Sequence, residues 1–193
     1  MMESLKLVIV LTLICSVAGA LLAVVHDVTA APIEAADAKE KGDAIMQVLP
    51  ECDNNPSEDV VSVNADGETW TFYVARKAGA FVGAAFETVS NQGYGGDIAI
   101  MVGVSAKGTV QAIQVLSHKE TPGLGAWIED EEKFRSKFAG RSIVDTQWAV
   151  AKDGGDIDQI TAATISSRAV TRAVKAGLDV CTANMTALAG NQP

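Results

Sequence analysis

The chain has 193 residues, with 15 basic and 24 acidic side chains and a net charge of −9. Its 48% hydrophobic and 20% charged content is that of a folding chain, long enough for one domain plus a short extra segment. The acidic balance and the 5% aromatic content argue against nucleic acid as partner. Cys15, Cys52 and Cys181 are too few for a disulfide framework or a four-thiolate site, and His26 and His118 leave little for zinc.

Leu7 to Val25 carries no charge, and only Thr12, Ser16 and Gly19 depart from the apolar set. A run of that length spans a bilayer core, and spanning requires a helix. Lys6 before it, against His26 and Asp27 after it, favours an N-terminus in the cytoplasm and an exported remainder. Val28-Thr29-Ala30 is an acceptable signal-peptidase site, but the apolar run is longer than a signal-peptide core, which favours an uncleaved anchor. Cys15 invites a lipoprotein reading that the bulky Ile14 disfavours. The expected organisation is cytoplasmic N-terminus and anchor over 1–27, linker over 28–34, and exported domain over 35–193. Cys52 and Cys181 then face an oxidising compartment where pairing is permitted, and the sequence leaves that pairing open.

Ala35 to Leu49 suits a helix, weakened by Gly42 and stopped by Pro50. Val60–Asn64 and Glu68–Arg76 flank Ala65-Asp66-Gly67, a hairpin signal. Further strands are expected over Ala80–Thr88, Asp97–Val104 and Thr109–Leu116, together an antiparallel sheet. Glu129–Phe138 reads as a short polar helix with acids in its first turn, and Trp148–Val150 as another strand. Thr164–Met185 repeats apolar residues at helical spacing. The fold class is α+β, an antiparallel sheet with flanking helices, preceded by one transmembrane helix.

Three segments stand out chemically. Gly93-Tyr94-Gly95-Gly96 precedes a strand and permits close backbone approach to a ligand. Ser117-His118-Lys119-Glu120-Thr121-Pro122-Gly123-Leu124-Gly125 mixes a turn signal with charged and hydroxyl groups. Asp158-Gln159-Ile160-Thr161-Ala162-Ala163-Thr164 opens the long helix. Asp158 or Thr161 there is either a plain helix cap or part of a phosphate site at a helix N-terminus. No pair of residues reads as an acid–base or nucleophilic catalytic set.

In that order, these segments resemble the FMN-binding domain family over about residues 75–180. The resemblance implies FMN attached covalently by a phosphoester to the last Thr of a D-x-x-[S/T]-G-A-[S/T] sequence. Carried onto this chain, Thr164 is the attachment residue, Asp158 the leading acid, Thr161 the first hydroxyl residue and Ala163 the small residue before the attachment. Ala162 stands where the family usually has Gly. The resemblance further implies that Glu120, Thr121, Gly123, Leu124 and Gly125, with Tyr94 and Gly95, line the flavin ring. His118 is a candidate to hydrogen-bond the flavin, and Arg168 to neutralise the phosphate. Length and the single anchor favour the Rnf type of ion-translocating electron-transport subunit. The longer C-type subunit of the Na⁺-translocating NADH:quinone reductase and an exported flavin-binding sensor module are the alternatives. The implied partners are other integral membrane subunits and a separate flavin transferase.

Overall fold

The structure, a computed structural model, describes residues 2–65 and 67–190. Asp66 of the expected hairpin turn lies outside the described residues. The chain divides into two units, residues 1–40 and residues 41–193.

The first unit lies within a single helix, α1 (Met2–Val48). Its side chains from Leu5 to Val25 are exposed, and the helix is long and apolar enough to cross a membrane. Where the sequence reading places a linker over 28–34, the backbone is helical, and α1 runs through Pro32. The N–H that proline lacks would have bonded Val28, on an exposed stretch where water can serve that carbonyl. Ala30, Ala31, Ala35 and Ala36 around it are the strongest helix formers.

The second unit is a five-stranded antiparallel sheet in sequential order: β1 (Val60–Ala65), β2 (Glu68–Lys77), β3 (Ala80–Ser90), β4 (Ile98–Ser105) and β5 (Val110–Ser117). The α+β expectation holds, and each strand lies within two residues of its expected bounds. Phe72, Phe86, Ile100 and Val102 cover one face and bury it against α2 (Thr164–Ala183) through Val170, Val174 and Leu178. Gly177 permits that approach, since a β-carbon on it would stand 2.0 Å from Phe86 Cε2. The opposite face is smaller. Ala75, Ala85 and Met101 pack against Ala44, Ile45, Val48 and Leu49 at the end of α1. The Val48 carbonyl would lie 1.9 Å from a β-carbon at Gly103 of β4, so only glycine admits it. Cys52 belongs to this face and Cys181 to the other, and all three thiols are free. The sheet between them answers the open pairing question in the negative.

Between β5 and α2 the chain is irregular. The polar helix expected over Glu129–Phe138 is absent, replaced by 3-10 turns at Gly125–Glu129 and Arg135–Phe138. Local bonds compete with the helix there: the Asp130 carboxylate accepts the Lys133 N–H at 2.9 Å, and Glu129 is drawn to His118. Phe134 and Phe138 are fully buried and pin the segment to the core. Trp148–Val150 forms no strand, only a parallel bridge between Val150 and Ile157. The C-terminal helix ends at Ala183, and a short α3 (Met185–Gly190) follows.

Candidate functional site

Helix α2 opens at Thr164 without a side-chain cap; Ala163 occupies the N-cap position. Asp158 and Thr161 are both exposed, and neither caps the helix, so the plain capping reading does not hold. The first-turn N–H groups therefore keep their hydrogen-bonding capacity and the positive end of the helix dipole. Ser167 anchors the approach to the helix from below. Its hydroxyl accepts the Ile160 N–H at 3.0 Å and lies 3.0 Å from the Ala163 carbonyl. Ala162 sits at φ +63°, in the left-handed region that costs an alanine about 1–2 kcal/mol.

Glu120, only 5% exposed, joins the three motifs. One carboxylate oxygen accepts the Gly95 N–H at 2.9 Å, and the other accepts the Ser166 hydroxyl at 2.5 Å. Its own N–H donates to His118 Nδ1 at 2.9 Å, and His118 Nε2 lies 2.7 Å from Glu129. Glycine is required around this carboxylate. A β-carbon at Gly125 would stand 2.5 Å from Glu120 Oε2, and one at Gly93 would stand 2.7 Å from Oε1. At Gly95 it would meet the Lys119 carbonyl at 1.9 Å. The GYGG turn, the post-β5 loop and the start of α2 are thus brought together from distant parts of the chain.

Above this hub lies a cleft of about 560 Å³. Tyr94, Leu124 and Ile165 give it exposed apolar walls, and Thr121 and Thr164 supply hydroxyls. Ala162, Ala163 and Ser166 complete it at the helix start, with Lys152 as its cation. Of the residues singled out in the sequence, Tyr94, Thr121, Leu124, Ala163 and Thr164 line the cleft. Glu120, Gly95 and Gly125 sit behind it as support, while Asp158, Thr161 and Gly123 do not line it. His118 spends both ring nitrogens on protein partners. Arg168 is held by Asp153 through two bonds of 2.7 and 2.9 Å. That contact lowers the Asp153 carboxyl below its usual range and raises the guanidinium. Sequence reasoning missed Lys152. It adjoins the Gly154-Gly155 turn, just before the Asp158–Thr164 segment but outside its pattern, and Asp153 beside it is the residue that binds Arg168.

The donor set suits a ligand with a flat apolar part and a phosphate: exposed apolar walls, then a cation, a hydroxyl and free N–H groups at the helix start. Residues 93–179 match the FMN-binding domain family, and these are the residues that form most of the cleft. A relative from Cereibacter sphaeroides, the G-type component of an ion-translocating oxidoreductase complex, is 40% identical over 177 residues, covering 88% of this chain and 80% of its own length. The Salmonella typhimurium protein of the same name is 39% identical over 180 residues, covering 88% and 87%. The chain is therefore a flavin-binding-domain protein. It belongs to the family of G-type components of ion-translocating oxidoreductase complexes. The crystal structure of Shewanella oneidensis NqrC shares its fold, with a TM-score of 0.51 at 20% identity over 67% of this chain and 68% of that one.

Proposed function

We propose that this protein is an electron-transfer subunit of a membrane-bound, ion-translocating oxidoreductase of the Rnf type, carrying FMN as a phosphoester on Thr164. The observation that carries the reading is the Thr164 hydroxyl, in the cleft at an uncapped helix N-terminus beside Lys152. FMN supplies reversible electron uptake and release when bound; the protein supplies position and electrostatics. Thr164 Oγ1 forms the ester bond and gives up its proton, with AMP leaving when a transferase uses FAD as donor. Lys152 and the first-turn N–H groups balance the phosphate charge. Tyr94, Leu124 and Ile165 hold the ring and keep water from its face. Asp158 and Thr161, exposed before the helix, serve the transferase as a recognition sequence. The apolar helix anchors the domain on the outer face of the membrane, where lost FMN is not readily replaced and a covalent tether keeps the site filled.

Intact mass tests this on protein co-expressed with a flavin transferase, beside a Thr164→Val variant. The expected result is a gain of one FMN less one water in the wild type and no gain in the variant. A wild-type chain of plain sequence mass, with the transferase active on another substrate, overturns the covalent reading.

A further inference from the structure

The cation of the cleft stands on a turn that the backbone fixes only at its base. Lys152 lies in the 3-10 turn Ala151–Asp153. Val150 and Ile157, both fully buried, hold the two ends of this excursion in the core. The Ala151 N–H donates to the Ile157 carbonyl at 2.8 Å, and the Ile157 N–H to the Ala149 carbonyl at 3.2 Å. Residues 151–153 themselves are exposed, so the placing of the tip falls to side chains.

Two contacts hold that tip, and both come from residues that flank Thr164. Gln159 Oε1 accepts the Lys152 N–H at 3.0 Å. The Arg168 guanidinium donates to both oxygens of Asp153, at 2.7 Å from Nε and 2.9 Å from Nη2. A bidentate pair of this kind fixes direction as well as distance. Arg168 follows Thr164 by four positions, and residues so spaced share one helix face. The Asp153–Arg168 pair therefore sets the turn against α2 one turn below Thr164, on the same side. The charges divide accordingly. Arg168 and Asp153 balance one another, whereas the Lys152 ammonium, in the wall of the cleft, makes no hydrogen bond or ion pair among the described residues.

We infer that Asp153, Arg168 and Gln159 are positioning residues, which hold Lys152 at the start of α2 as the contact that selects a phosphate-bearing flavin. The inference rests on the flavin reading above. A lysine on a loose turn loses backbone freedom each time it meets an anion. Here the backbone part of that cost is met in folding, before any ligand arrives. Arg168 thus serves the phosphate at one remove, by fixing the neighbour of the lysine that meets it.

The test uses the wild-type full-length chain, made without a flavin transferase so that the Thr164 hydroxyl stays free. It is titrated with FMN and with riboflavin, which lacks the phosphate, and flavin fluorescence is followed. Lys152→Met is expected to lower FMN affinity at least tenfold and to leave riboflavin affinity within about twofold, which shows that the variant folds. Asp153→Asn and Arg168→Gln are each expected to lower FMN affinity at least threefold, again sparing riboflavin. For Asp153→Asn the sign is decisive: it removes a negative charge near an anion, and simple electrostatics would tighten FMN binding. Added to Lys152→Met, Asp153→Asn is expected to change nothing further, because it acts through that lysine. FMN affinity unchanged or raised in Asp153→Asn overturns the proposal. So does an equal loss for FMN and riboflavin, or an Asp153→Asn effect that persists undiminished in the Lys152→Met chain. A wild-type chain that binds neither flavin overturns the flavin reading of the cleft itself, and the positioning roles with it.

Discussion

Ala162 holds the least comfortable backbone of the candidate site. Its φ of +63° is natural for glycine and strained for alanine. Replacing it by glycine relieves that strain, while glycine loses more freedom on folding. The expected net effect of Ala162→Gly is a gain of about 0.5–1 kcal/mol in urea unfolding, with no other structural change. Glu120 acts in the opposite sense. Glu120→Ala strips partners from the Ser166 hydroxyl and the Gly95 N–H. It is expected to cost about 2 kcal/mol in the same experiment and to weaken FMN retention in an unlinked Thr164→Val background. The two residues also mark how far the sequence can be read. The Asp158–Thr164 spacing was legible because it is local, seven consecutive residues at a helix start. The supporting role of Glu120 was not, because it depends on Gly95 and Ser166 arriving from either side of the fold. Lys152 was illegible for the same reason: no local pattern announces a cation that enters the cleft from a separate turn.

Among the elements, the five strands followed from β-type runs bounded by turn signals, and their bounds needed little change. Such runs are local and survive whether a strand is buried on one side, as in β1, or on both, as in the middle of β3 and β4. The segment between β5 and α2 obeys no period, because its anchors, Ile128, Phe134, Phe138 and Ile157, are spaced for contact with the core. Its acids read as a helix start only until His118 and the backbone claim them. The two faces of the sheet make a further prediction. Burial pushes the Cys181 thiol up to about 12, so about one in ten thousand ionises at pH 8. Cys52 is partly exposed, and burial raises it less completely. Alkylation of the native protein at pH 8, followed by peptide mapping, is expected to label Cys52 at least tenfold more than Cys181. Denaturant is expected to equalise them.

At the scale of the whole molecule, residues 41–193 carry both faces of the core. A chain beginning at Lys41 is expected to be soluble and to unfold cooperatively on heating. A chain beginning at Pro50 loses Ile45, Val48 and Leu49, three buried apolar side chains together worth about 5–9 kcal/mol. That matches the entire stability of an ordinary domain, so the shorter chain is expected to be unfolded by circular dichroism. The end of the helix expected over Ala35–Leu49 is, in the fold, the cover of the second sheet face. The buried carboxylate of Glu120 has a consequence of another kind, for the order of events in maturation. The loops it joins are separated by the whole of β4 and β5 and by the long segment that follows. The cleft exists only once those distant pieces have met. With the attachment at Thr164 proposed above, loading of the cofactor is therefore expected to follow folding, and a flavin-bearing chain to be one that has already folded.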